Sequence, residues 1–241
     1  MRYAVLSDVH SNAPALRAVV DSFDANGVNS SVCLGDVVGY GADPVEAVAV
    51  IRKLCDVVVR GNHDNAASSE EFGGSFNDDA GEAIAWTRGQ LSTAEASYLG
   101  GLPLSASYEG ARLVHASPLN PGSWTYITRM RDATAAFRAF EEPLCLVGHT
   151  HEPVFYVTDG KRRRRREIPR LRMKHDRRYL INVGSVGQPR DGDPRASYAV
   201  VDTDEQTVEI VRVPYDTELA GRRIAGAGLP ASLAERLTSG R

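Results

Sequence analysis

The sequence is short of several things, and each shortage closes off a class of protein. It has three cysteines in 241 residues, and Cys33, Cys55 and Cys145 stand singly in apolar runs with no Cys-x-x-Cys pair. That excludes a disulfide-stapled scaffold or a cysteine-held zinc module. It reads instead as buried thiols in a reducing compartment, so a cytoplasmic location is expected. No uncharged apolar run approaches the ~18 residues that a membrane-spanning helix needs, so no membrane partner is expected. The opening Met1-Arg2-Tyr3-Ala4-Val5-Leu6-Ser7-Asp8 lacks the basic, apolar and small-residue pattern of a secretory signal. Net charge is missing too: 28 Lys and Arg against 31 Asp and Glu leave −3, which names no partner. What remains is ordinary for a soluble globular chain, 42% hydrophobic and 24% charged. The length suits a single domain over 1–241 with a sizeable core.

Along the chain, Tyr3 to Leu6, Ser31 to Leu34 and Val57 to Val59 read as short buried strands. They alternate with helical periodicity over Pro14 to Phe23 and from Asp43-Pro44 to Leu54, with Asp43 as the N-cap and Pro44 in the first turn. This predicts a parallel α/β unit. Asn77 to Leu99 reads as helical, with a capping box at Ser92 and Glu95. Leu104 to Tyr108 and Ala111 to Val114 flank a hairpin turn at Glu109-Gly110. A helix over Asp132 to Phe140 then precedes a strand at Leu144 to Val147. Val154 to Val157 runs into a turn at Asp159-Gly160, and Tyr179 to Val183, Ser197 to Asp202 and Val208 to Val213 are later strands. Helices return at Glu218 to Ile224 and Ala231 to Leu237. Parallel units first and antiparallel strands later predict a mixed α/β architecture with two stacked sheets.

The six histidines carry most of the functional signal. Five lie in short polar motifs that follow strand-like runs: Asp8-Val9-His10, Gly61-Asn62-His63-Asp64, His115 and Gly148-His149-Thr150-His151. Gly35-Asp36 follows another such run. Parallel strands put their carboxyl ends on one edge, where α/β sheets hold ligands. In extended chain, residues two apart point the same way, so Asp8 with His10, and His149 with His151, could each chelate an ion. Carboxylate, imidazole and carboxamide donors suit Mn²⁺, Fe²⁺ or Zn²⁺. They are too many for one four-coordinate zinc, which favours two ions sharing a carboxylate. His175 lies in a basic stretch and reads as a surface residue.

With these motifs, and with Gly35-Asp36-x-x-Gly39 and Asn182-Val183-Gly184-Ser185-Val186-Gly187-Gln188-Pro189-Arg190, the sequence resembles the calcineurin-like metallophosphoesterases, in particular the small prokaryotic phosphodiesterase group. The resemblance implies a four-layer α-β-β-α sandwich with the metal site at the strand carboxyl ends. It implies two divalent ions, manganese foremost, with iron, zinc, nickel or cobalt as alternatives. Asp8, His10 and His151 would bind the first ion, Asn62, His115 and His149 the second, and Asp36 would bridge them. His63 and Asp64 would be catalytic, His63 facing the leaving group with Asp64 orienting its ring. Two cations roughly 3.5–4 Å apart would generate a bridging hydroxide that attacks phosphorus in line. The substrate would be a small phosphodiester, phosphoanhydride or nucleotide. Arg60 is either a contact to substrate phosphate or an ordinary surface cation. The Asp-Arg-Gly of serine/threonine phosphatases is absent, which argues against that subfamily.

One segment falls outside this scheme. Lys161, Arg162 to Arg166, Arg170, Arg172, Lys174, Arg177 and Arg178 stand against Glu167 and Asp176. A basic loop or hairpin insertion over about 160–178 is the expectation, since such runs are normally solvated. The alternative is a nucleic-acid-binding protein or nuclease that uses Arg162 to Arg166. Substrate choice should rest on the segments Asn65 to Asp79 and Leu119 to Arg131.

Overall fold

Tyr3 and Val5 face one way and Ala4 and Leu6 the other, and both faces are buried, so β1 (Arg2–Leu6) lies between two apolar layers. The structure is a computed structural model that describes residues 1–69 and 76–241; part of the Asn65 to Asp79 segment, residues 70–75, lies outside the described residues. After β1 come α1 (Ala13–Asp21), β2 (Ser30–Cys33), α2 (Pro44–Leu54) and β3 (Val57–Val58), with β1, β2 and β3 parallel. The chain continues through α3 (Asn62–Ser68), α4 (Asp78–Gln90) and α5 (Thr93–Gly101) to a hairpin of β4 (Ser105–Tyr108) and β5 (Ala111–Val114). Then follow α6 (Met130–Ala136), β6 (Leu144–Val147), β7 (Val154–Thr158), β8 (Arg163–Arg166), β9 (Arg170–Arg172) and β10 (Arg178–Asn182). Strands β11 (Ala196–Asp202) and β12 (Thr207–Val213) and helices α7 (Thr217–Gly226) and α8 (Ala231–Ser239) complete it.

Among the described residues the strands form two six-stranded sheets, in the orders β3-β2-β1-β11-β12-β9 and β4-β5-β6-β10-β7-β8. Val5, Val32, Leu113, Leu146, Phe155 and Ile181 fill the layer between them. Leu16, Val19, Val48 and Ile51 cover one outer face and Ala133, Phe137 and Phe140 the other. This is the expected α-β-β-α layering.

Two local expectations change and a third becomes specific. Asp43 occupies the N-cap position of α2, but its carboxylate makes no capping bond; it pairs with Arg223 at 2.9 Å. Helix α6 spans Met130–Ala136 rather than Asp132 to Phe140, because Asp132 caps from inside the first turn, accepting from the Arg129 amide at 3.0 Å. The arginine run takes the hairpin form of its expectation, β8 pairing antiparallel with β7. After a turn in which the Asp159 carboxylate accepts from the Lys161 and Arg162 amides, β8 becomes the edge of one sheet and β9 the edge of the other. Charged side chains on such edges discourage pairing with a further strand.

Candidate metal centre

The parallel strands of both sheets end on one side of the molecule, and the polar motifs leave from those ends. The loop after β1 is zipped to the loop after β2, with the Asp8, His10 and Ser11 amides each donating at 3.0 Å to Gly35, Asp36 and Val37 carbonyls. The Asn182 to Arg190 segment braces both sides. Asn182 Nδ2 donates to the Gly148 carbonyl, Ser185 Oγ to the Asp8 carbonyl at 2.8 Å, and the Gly187 amide to the same carbonyl at 2.9 Å. Its resemblance to the family therefore has a structural reason: it locks the two motif-bearing loops together.

The backbone differs from the extended chain expected of the paired motifs. Asp8, His10, Asp36, His149 and His151 all have φ between +49° and +68°. For residues with a Cβ, each such position costs on the order of 1–3 kcal/mol and persists where the surroundings over-determine it. One consequence is a correction: His149 and His151 do not converge on one point. Donor atoms of Asp8, His10 and His151 form one group and those of Asp36, His115 and His149 another, each lying within 4.8 Å of one another. His10, Asp36 and His63 make a third such combination. Asn62 Oδ1 lies 3.1 Å from His115 Nε2, beside the second group.

The tautomers show what these groups need. A carbonyl oxygen accepts and never donates, so each imidazole nitrogen facing one carries the hydrogen. His10 Nδ1 faces the Val38 carbonyl at 3.1 Å, His151 Nδ1 the Gln188 carbonyl at 2.6 Å, and His115 Nδ1 the Leu34 carbonyl at 2.9 Å. His149 Nε2 faces the Trp124 carbonyl at 2.9 Å. In the neutral rings the remaining nitrogens are lone pairs, and they point at one another. His10 Nε2 is 3.1 Å from His151 Nε2, and His115 Nε2 is 3.2 Å from His149 Nδ1. Asp8 Oδ1 lies 3.3 Å from His151 Nε2, and Asp36 Oδ2 lies 3.4 Å from His115 Nε2 and 3.7 Å from His10 Nε2. Acceptor against acceptor, with two carboxylates at most 1% exposed, is repulsive without a cation.

The titration preferences agree. Burial pushes both carboxyls up, but the surrounding imidazoles, His151 foremost at Asp8 and His115 at Asp36, hold them below the usual carboxylate range. Burial drives His10 well down, and with help from His115 takes His149 down to about 3. At His115 burial is outweighed by Asp36 and Asp8, which raise it to about 9. The carboxylates demand positive charge at this point, and divalent metal ions fit the donor set.

Two expected roles change. Asp64 does not orient the His63 ring: its carboxylate accepts from the Val37, Val38 and Gly61 amides at 2.8, 3.2 and 3.0 Å, tying the start of α3 to the loop after β2. Burial and the Asp36 charge push Asp64 up to about 7. His63 Nδ1 is buried without a hydrogen-bond partner, and its ring is held by Tyr40, His10 and Phe76 at 4.5–4.9 Å. Gly39 (φ +95°) belongs to this packing, since a Cβ there would overlap His63 Nδ1. Arg60 turns away from the site, donating to the Gly100 carbonyl at 2.7 Å at the end of α5.

A cleft of about 980 Å³ opens over Asn62, His63 and His149, and the arginines that line it are Arg190, Arg236 and Arg241. Arg190 is held by Gln188 Oε1 at 2.8 Å and Tyr40 Oη at 3.3 Å. The Leu119 to Arg131 segment contributes Trp124 and Tyr126, as its expected part in substrate choice requires. Arg190 carried no expected role, although it closes the Asn182 to Arg190 stretch. Arg236, on the far side of the sequence, gave no signal.

Buried imidazole and carboxylate clusters at the strand ends of an α-β-β-α sandwich define a metal-dependent phosphoesterase, a hydrolase. The family profile described as calcineurin-like phosphoesterase superfamily domain matches residues 1–206. An uncharacterized protein of Methanocaldococcus jannaschii is 38% identical over 99% of this chain and 98% of its own. The crystal structure of a metallophosphoesterase from Sphaerobacter thermophilus superposes with a TM-score of 0.89 at 40% identity, covering 100% of this chain and 99% of the other. A hypothetical protein from Pyrococcus horikoshii OT3 shares the fold, with a TM-score of 0.80 at 22% identity over 100% and 98% of the two chains. The chain belongs to the calcineurin-like phosphoesterase superfamily, whose members use divalent metals. Among the described residues no helix is long and apolar enough to cross a membrane.

Proposed function

We propose that this phosphoesterase hydrolyses a phosphodiester or phosphoanhydride bond in a small, nucleotide-like substrate, using two divalent ions. Asp8, His10 and His151 would hold one ion, Asn62, His115 and His149 the other, and Asp36 would serve both, with manganese the first candidate metal. The observation that carries this reading is the close approach of ring nitrogens, His10 to His151 with lone pairs opposed and His115 to His149 at 3.2 Å, beside two buried carboxylates. When bound, such ions acidify a water and neutralise phosphoryl oxygens.

The chain's own residues supply the rest. His63 lines the cleft beside the metal groups and would hydrogen-bond the leaving oxygen. Burial lowers its imidazole to about 4, so at neutral pH it donates from a neutral ring. Arg190 and Arg236 offer guanidinium forks to phosphate oxygens beyond the scissile one. Tyr126, 51% exposed with its ring 4.0 Å from that of His149, and Trp124 offer faces for an aromatic base. Because α8 delivers Arg236 to the cleft, we read residues 1–241 as one functional unit. Its three free thiols, two of them buried, suit the reducing cytoplasm.

The test is hydrolysis of bis-p-nitrophenyl phosphate and diadenosine tetraphosphate with Mn²⁺ or with EDTA. Turnover that requires metal and favours the dinucleotide supports the proposal. Absence of turnover on both, with metal shown to be bound, would sink the substrate class.

A further inference from the structure

The arginine segment has no part in the hydrolytic reading, yet its backbone is held in place at the edges of both sheets. Strand β8 pairs with β7 from Arg163 to Arg166, and β9 pairs with β12 from Arg170 to Arg172. Beyond β9 the Met173 amide donates to the Gln206 carbonyl at 2.7 Å and the Lys174 amide to Tyr179 Oη at 2.8 Å. Between these two edges the sandwich opens sideways in a cavity of about 340 Å³. Arg164, Arg166, Arg170, Arg172, Lys174 and Arg177 line it over an apolar floor of Val157, Ile168, Leu171 and Tyr179, and no carboxylate lines it. It shares no lining residue with the cleft over the metal groups.

The charge in this opening is poorly balanced. Among the described residues, ion pairs reach two of the six cations, Arg170 with Glu209 at 3.6 Å and Arg177 with Asp176 at 3.8 Å. Arg177 Nε is buried with no hydrogen-bond partner. Arg165, the alternate residue of β8, lines a different cavity and pairs with Glu167. Charge on an edge strand does protect it from pairing, but either sign would serve. The apolar floor supports arginine stems without relieving the charge. Like charges gathered into one concavity within a Debye length (~8 Å at physiological salt) repel one another, and a bound polyanion removes that cost.

We propose that this opening is an anion-binding site, separate from the metal centre, for a compact small molecule carrying several phosphate groups. Its volume falls in the range of small-ligand pockets, about 300–1,000 Å³. Guanidinium groups recognise phosphate oxygens in pairs. A single-stranded nucleic acid is not favoured, because the sole aromatic in the lining, Tyr179, is 1% exposed and offers no stacking face.

The experiment is calorimetric titration of the full chain with inorganic tripolyphosphate in EDTA at about 0.15 M salt. The native chain, an Arg166→Ser/Arg172→Ser variant and an Arg190→Ser variant are compared, with an Arg164→Ser/Arg170→Ser pair as a second probe of the opening. We expect binding by the native chain and a weakening of at least about ten-fold in either pair of opening variants, larger than any weakening in Arg190→Ser, whose own phosphate contacts lie in the separate cleft. Unchanged binding in the opening variants, or loss in Arg190→Ser, would assign the anion to the catalytic cleft and overturn the proposal. So would no binding by the native chain. Tighter binding of a single-stranded RNA 20-mer, in competition with tripolyphosphate, would replace the small ligand with nucleic acid.

Discussion

Asp36→Asn should make the metal-free protein more stable and the metal-loaded protein less so. Asp36 Oδ1 accepts from the His63 amide at 2.8 Å, so an asparagine there must keep its carbonyl on that side. Its NH₂ then replaces Oδ2, facing His10 Nε2 at 3.7 Å and His115 Nε2 at 3.4 Å. A buried anion becomes a neutral donor between two lone pairs. Removing the uncompensated charge and gaining a hydrogen bond or two should stabilise the metal-free fold by about 1–3 kcal/mol. For a chain of this length that is roughly 2–10 °C in melting midpoint. A proton on His115, raised to about 9, partly replaces the missing cation. That contribution is complete below the unfolded value of about 6.5 and is lost as pH rises through about 9, so the EDTA comparison belongs at pH 9 or above. With Mn²⁺ at about 100 times Kd, two sites would stabilise the native chain by roughly 5 kcal/mol, and the variant, lacking the shared carboxylate, by less than about half of that. Thermal melts in EDTA at pH 9 and in Mn²⁺ at pH 7.5 read the two effects, and hydrolysis should fall at least about 100-fold. A variant that melts lower than native in EDTA at pH 9 would refute the reasoning, because Asp36 would then be satisfied by the protein alone. An unchanged Mn²⁺ shift would refute its shared role.

What the sequence disclosed and what it hid divide along physical lines. The strands and the outer helices were legible because Tyr3 to Leu6 or Leu144 to Val147 must be buried whichever sheet they join, and burial shows as an apolar run. The convergence of Asp8, Asp36, His115 and His149 was legible because strand ends put short polar motifs on one edge. Backbone conformation was not: alternate spacing suggests extended chain, whereas the left-handed residues at Asp8, His10, His149 and His151 arise from hydrogen bonds between loops far apart in sequence. Asp64 misled for a related reason. A carboxylate next to a histidine looks like its partner, but at the third position of α3 it meets the Gly61 amide and the loop after β2 first. The arginine run left loop and hairpin both open because charge carries no period, and its place on two sheet edges depends on pairing with β7 and β12.

Gly39→Ala should lower the melting midpoint by roughly 4–12 °C, about 2–3 kcal/mol, since it adds both a φ penalty and an overlap with His63; a shift under 2 °C would mean that the ring is free to move. Arg60→Ala should cost about 1–2 kcal/mol by freeing the Gly100 carbonyl at the end of α5, with kcat and KM on bis-p-nitrophenyl phosphate within about two-fold of native. Arg190→Ser combined with Arg236→Ser should do the converse. Neither arginine belongs to a metal group, so the Mn²⁺-induced rise in melting midpoint should stay as in the native chain. On our proposal the compact diester would reach little beyond the metal groups, while a polyphosphate would extend to the cleft arginines. Losing two charge-assisted contacts at about 1.5–3 kcal/mol each should therefore reduce kcat/KM for diadenosine tetraphosphate at least about 100-fold, and for bis-p-nitrophenyl phosphate by less than about ten-fold. Equal losses on the two substrates would mean that the arginines serve the reacting phosphate itself rather than the phosphates beyond it.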